Sequence, residues 1–183
     1  MILRWLLWLI AGTLLGGIVH LGAVLVLPNT ATQDAYSRLT PITPVNTVVA
    51  VPAPSPQSAV IPFLDPAFAT AVCRYDLSKN SLKLAVPVNP AYTSVSFYTR
   101  RGVAYYSLND RAAGRRVIEL ELMTGAQRNA LPEDDEVTAA DRLIVESPTL
   151  TGLIVVRALA PEPGLMATAR NTLAGVKCDP QSR

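Results

Sequence analysis

The chain has 183 residues, 50% of them hydrophobic, 16% charged and 6% aromatic, with a formal net charge of +2. Beyond a membrane segment, that length holds one folded core and not two. The 16 Lys and Arg, one of them Arg4, stand against 14 Asp and Glu, so no basic field exists to hold nucleic acid.

Residues 5 to 33 contain no Asp, Glu, Lys or Arg, and Trp5 to Leu27 reads WLLWLIAGTLLGGIVHLGAVLVL. As a helix rising 1.5 Å per residue, that run is long enough to cross a bilayer. Its eight Leu, two Ile and three Val contribute about −4 to −8 kcal/mol towards insertion. A single transmembrane anchor over residues 1–27 is expected, with the lipid bilayer as first partner. A cleaved signal peptide would also begin with a positive residue and an apolar run. Three details count against it: the run is about twice a usual signal core, no good small-x-small site follows, and no Cys lies nearby for lipid attachment.

Along the anchor, Gly12, Gly16 and His20 follow at four-residue steps and Ala23 three further on. They share one helix face that a neighbouring helix can approach closely, and His20 can hydrogen-bond across such a contact. The alternative is that small residues are simply frequent in spans and that His20 snorkels outward.

Flanking charge orients the span weakly, because Asp34 and Arg38 cancel after it. Cysteine usage adds to this. Cys73 and Cys178 suit one disulfide closing just over a hundred residues, a bond worth about 4 to 5 kcal/mol in the chain-entropy account. Two buried thiols in a cytosolic domain are the other reading. The expectation is an N-terminus in the cytoplasm and a domain in the periplasm, in a bacterial inner membrane.

Residues 28–62 hold seven of the 15 prolines, as in TPITPVNTVVAVPAPSPQSAVIP, and 28–60 read as a Pro-rich linker that lifts the domain off the membrane and makes no helix. Its VVAV run could instead pair as an edge strand. From Ile61 to Arg183 the chain reads as one β-rich domain. Asp65-Pro66 has the form of a helix start, so AFATAVCRY is expected as a short helix. Strands are expected at 81–88, 93–99, 103–108, 116–123, 142–147 and 152–159, paired antiparallel. In the fourth, Ile118, Leu120 and Leu122 alternate with Glu119 and Glu121, one face in the core and one in water. Arg100-Arg101-Gly102 suits a tight hairpin, and 164–176 a terminal helix that the disulfide would staple to the first. The fold class is mainly β, a β-sandwich or jelly-roll with one or two short α-helices, plus one N-terminal transmembrane helix.

Chemistry is limited by what is missing. The one histidine, His20, lies in the span, so no imidazole serves the domain as base or metal ligand. If the cysteines are joined, no thiolate remains, and the chain carries no G-x-x-x-x-G-K, G-x-G-x-x-G or G-x-S-x-G pattern. No catalytic residue, metal or cofactor is assigned. Carboxylate catalysis through Asp65, Asp76, Asp110 or Asp141 is left as a minor alternative, since capping and turn formation account for Asp65 and Asp110. Glu133-Asp134-Asp135-Glu136 lacks the alternating spacing of a calcium loop and reads as a solvated turn. Tyr98, Arg101, Asn109, Asp110 and Arg111 could line a ligand pocket; the plainer reading is a turn with tyrosines packing across strands.

The strings PFLDPAFATAVCRYDL, PVNPAYTSVSFYTRRGVAYYSLNDRAA and ADRLIVESPTLTGLIVVRALAP resemble the bacterial membrane-protein family of unknown function numbered 1254, over roughly residues 60 to 160. The resemblance implies a β-rich fold and no established catalytic residues. It also implies a second domain, of the family numbered 1214, often fused or encoded beside it. That domain is not found here, which points to a separate small membrane-anchored partner docking on the anchor, or to self-association through it. Two functions are carried forward: an envelope interaction protein acting as a non-catalytic subunit, and a small-molecule-binding or carboxylate-based enzyme domain on an anchor.

Overall fold

The structure, a computed structural model, describes residues 1–30, 34–55, 59–113, 116–131 and 143–181. It divides into two units, Met1–Gln33 and Asp34–Arg183. The first is helix α1 (Ile2–Thr30), 29 residues, at about 1.5 Å each some 43 Å long. Its Ile2–Leu27 stretch has a mean hydropathy of 2.2, and none of the most apolar window is buried.

The second unit is a sandwich of two sheets. The larger, in the order β1-β2-β8-β4-β5, is built from β1 (Val48–Ala50), β2 (Phe68–Asp76), β8 (Thr151–Leu159), β4 (Thr93–Thr99) and β5 (Ala104–Asn109), all antiparallel. The smaller, in the order β7-β6-β3-β9, is built from β7 (Leu143–Ser147), β6 (Val117–Thr124), β3 (Ser81–Pro87) and β9 (Lys177–Gln181). Here β6 and β7 run parallel, which departs from the all-antiparallel expectation. A parallel pair needs a crossover rather than a hairpin, and this one starts with α4 (Gly125–Asn129), opened by a capping box between Thr124 and Gln127. The remaining helices are α2 (Ala35–Leu39), α3 (Asp110–Ala113) and α5 (Met166–Ala174).

In β3 and β6 the alternation is as read. Leu82, Leu84 and Val86 stand opposite Leu122, Leu120 and Ile118, all in the central core, with Glu119 exposed on the other face. Glu121 departs from it, being buried and accepting a hydrogen bond from Ser81 Oγ at 2.6 Å.

Two segments differ from their sequence reading. AFATAVCRY is the strand β2: Asp65 caps only a turn, accepting from the Ala67 N–H at 2.9 Å, and the chain then extends between β1 and β8. Residues 28–60, read as a linker without a helix, contribute α2 and β1 to the folded unit. Asp34 Oδ1 accepts from the Ser37 N–H at 2.7 Å to start α2, and Tyr36 and Leu39 are buried in a second apolar cluster with Val72 and Leu153. The guanidinium groups of Arg74 and Arg100 lie 5.6 and 4.7 Å from the Tyr36 ring centre, so the ring is held by two cations as well as by packing. β1 pairs at the edge of β2, the alternative left open for VVAV.

Cys73 and Cys178 form a disulfide, Cα–Cα 6.6 Å, across 105 residues. It joins β2 of one sheet to β9 of the other, not a terminal helix to a first one, because Cys73 lies on a strand and the terminal helix α5 ends before Cys178.

Candidate functional site

One end of the sandwich opens into a groove of about 620 Å³, inside the range of about 300 to 1,000 Å³ typical of small-molecule sites. One wall is the Pro52-Ala53-Pro54 segment that follows β1; the second is Leu64, Pro66 and Phe68 leading into β2; the third is α5. Met166, Arg170 and Leu173, at i, i+4 and i+7, put one helix face on the groove. Buried Ala169 and Leu173 fix α5 in the core, and Phe68 is held edge-on by Tyr92 at 6.4 Å between ring centres.

The walls offer little polarity. Five of the lining residues, Pro52, Pro54, Pro66, Pro161 and Pro163, have no N–H to donate. The Val51 and Ala160 N–H groups are occupied by Thr70 and Ala67 carbonyls at 2.9 and 2.8 Å. Among the described residues, Arg170 is the one charged residue on the lining, Thr70 is the one uncharged polar side chain, and no carboxylate is present.

At another place in the sandwich, tyrosines bridge the sheets. A register shift at Phe97/Tyr98 leaves Tyr105 as an extra residue in β5, so Tyr105 and Tyr106 both turn towards the core against Phe97, at 6.2 and 5.9 Å. The Tyr105 hydroxyl donates to the Tyr75 hydroxyl at 3.1 Å, which lies 3.0 Å from Ser147 Oγ on β7 and donates to the Tyr98 carbonyl at 3.3 Å. Gly152 makes room for this, since a Cβ there would collide with the Tyr98 carbonyl and the Tyr75 hydroxyl. Burial pushes the Tyr105 phenol far above its ordinary range, so that hydroxyl keeps its proton and the hydrogen-bonded chain acts as a structural bridge. On the surface, the Ser78 hydroxyl and N–H hold the Asp76 carboxyl below its usual value.

The five residues read as a possible pocket are not brought together. Tyr98 and Arg101 lie at the turn of the β4–β5 hairpin, whereas Asn109 pairs with Ser94 at its far end, followed by Asp110 and Arg111. Four residues of strand separate the two groups, about 13 Å. Tyr98 packs instead on the outer cluster with Leu39, and Oδ1 of Asp110 is buried without a partner among the described residues. The hairpin itself is as read, with Gly102 at φ 79° and its N–H bonded to the Thr99 carbonyl at 2.9 Å. Gly12, Gly16, His20 and Ala23 all lie within α1, and nothing stands within 4 Å of where a Cβ would project at Gly12 or Gly16. The acidic run 133–136 and Asp141 lie outside the described residues. Among those described, no three His, Cys, Asp or Glu side chains are grouped as metal ligands would be.

Sequence reading placed a helix at 164–176 but missed the groove and Arg170. The groove is made by segments about a hundred residues apart, and the local signal was only the density of Pro and Ala on both sides.

The architecture is a disulfide-joined, two-sheet β domain preceded by an apolar helix long enough to span a membrane. The chain belongs to the family described as "Protein of unknown function (DUF1254)", which matches residues 45–180. No curated protein matches it. Its fold is similar to the crystal structure of the VPA0106 protein from Vibrio parahaemolyticus, at TM-score 0.58 and 12% identity, over 82% of this chain and 38% of that one. An uncharacterised protein from Burkholderia cenocepacia is similar at TM-score 0.47 and 16% identity, over 81% and 42%. The chain thus spans about two fifths of the length of either structure.

Proposed function

We propose that this protein is a single-pass subunit of the bacterial envelope, its N-terminus in the cytoplasm and its β sandwich in the periplasm, where the domain binds a partner protein rather than catalysing a reaction. The observation that carries the reading is the pairing of an unburied apolar helix, Ile2–Leu27, with a domain closed by a disulfide. A helix of that composition is stable in lipid, and a disulfide persists in an oxidising compartment. The open face of Gly12, Gly16, His20 and Ala23 offers a docking place for a second span, either that of a small partner of the companion family numbered 1214 or a second copy of this chain.

The test is purification of the full-length protein from its native membrane in mild detergent, with cross-linking and mass spectrometry. A stoichiometric membrane protein that is lost in the double variant Gly12→Leu with Gly16→Leu supports the reading. Recovery of the protein alone, or the same partner from both forms, removes the docking face. Protease added outside spheroplasts should degrade the sandwich; full protection would reverse the orientation.

A further inference from the structure

We infer that the groove between the Pro52–Pro54 segment and α5 binds an elongated apolar molecule ending in an anionic head, of the fatty-acyl carboxylate class, with Arg170 facing the head. Its volume of about 620 Å³ is that of a small-molecule site. Prolines and occupied backbone groups leave the walls with little to hydrate, so an alkyl chain displaces water at little polar cost. Small side chains such as Ala53, Ala67 and Ala160 keep the channel wide, and Met166 adapts to the chain lying in it. The one charge on the described lining decides the sign of the ligand. Arg170 is exposed, makes no ion pair among the described residues, and shares the described lining with no carboxylate, the exposed Asp65 and Glu162 beside it in sequence being off that lining. A cationic head would be repelled, a neutral one would gain nothing from the guanidinium, and a carboxylate or phosphate can take its paired donors. This inference stands on the sandwich alone and does not depend on the anchor or its partner.

The test is photo-cross-linking of the tagged full-length protein in ATP-depleted whole-cell lysate, so that the probe is not incorporated into lipids. The probes are a diazirine-bearing fatty acid, the matching fatty alcohol, and vesicles of phosphatidylglycerol carrying the same diazirine chain. The inference expects saturable labelling of the tryptic peptides covering 39–74 and 158–177, displaced by excess dodecanoate. Labelling by the acid alone assigns a free acyl carboxylate; labelling by the phosphatidylglycerol assigns a membrane lipid with the same chemistry. Arg170→Glu should lower labelling by about fivefold, as loss of one exposed charge contact implies. Arg157→Glu, on the outer face of β8, should leave it unchanged. Ala53→Trp should block the groove from an exposed loop position. Retention of the disulfide on a non-reducing gel establishes that each variant is folded. Labelling confined to α1, labelling that does not saturate, equal labelling by the alcohol, or indifference to Arg170→Glu would each overturn the inference, and none of these bears on whether a partner protein co-purifies.

Discussion

In the sheet β7-β6-β3-β9, Leu82, Leu84, Ile118 and Leu120 face the core while Lys83 and Glu119 on the opposite face meet water. In the sheet β1-β2-β8-β4-β5 the two central strands bury both faces: Ala71, Tyr75, Ile154 and Val156 lie in the central core, and Val72 and Leu153 lie under Tyr36 and Leu39 of α2. The contrast explains which strands can be read from sequence. A strand wet on one face must alternate, as IELEL does; a strand dry on both has no reason to and is left to its composition, so that Ile154-Val155-Val156 of β8 still reads as strand while AFATAVCRY after Asp65-Pro66 reads as helix.

The largest expected effect comes from cutting the link between the sheets. Replacing Cys73 and Cys178 together by Ala should lower stability by about 4 to 5 kcal/mol, measured as the shift in urea midpoint of the full chain in detergent. A loss under about 1 kcal/mol would mean that packing alone joins the sheets. Next comes the contrast of outer faces. Leu39→Ala should cost about 2 to 5 kcal/mol, whereas Glu119→Ala on the exposed face of the other sheet should stay within about 0.5 kcal/mol. If the two cost the same, α2 is not part of the folded core. Gly152→Ala should cost about 1 to 3 kcal/mol by forcing Tyr75 away from the Tyr98 carbonyl. Tyr75→Phe introduced with it should change that cost, because the two positions share one contact.

The smallest effect at ordinary pH belongs to Tyr105. Its phenol is raised by burial, so the native state keeps it neutral where the unfolded chain ionises. The sign follows: the contribution is complete below about pH 10 and is lost as pH rises further. Tyr105→Phe should therefore flatten the alkaline fall in urea midpoint, while an unaltered fall would assign it to other groups.

Several elements were legible because their causes are local. The six expected strands, the Gly102 turn and the helix after Pro163 follow from alternation or β-branched composition, backbone permission at glycine and the composition of α5. β2 was not legible because α2 and the core hide its two faces equally. α2 itself was obscured by the prolines around it, although Asp34 followed by AYSRL carries its own cap. The disulfide pair was readable from cysteine count, but not the elements it joins, which depended on the reading of β2. Arg170 gave no sign in sequence, since its setting is made by Pro52 and Pro66 far along the chain.

The position of β8 governs the order in which this fold can be made. It lies between β2 and β4, yet it is synthesised after both, and β9, carrying Cys178, comes later still. When a nascent chain has reached residue 150, its larger sheet exists as two hairpin-like pieces, β1 with β2 and β4 with β5, with no strand to bring them together. Their inner edges stay open until Thr151–Leu159 emerges, so folding is a late, closing event that joins distant segments and is slow by topology. During that interval Cys73 has no native mate, and the chain depends on its surroundings to keep the thiol and the open edges from other partners.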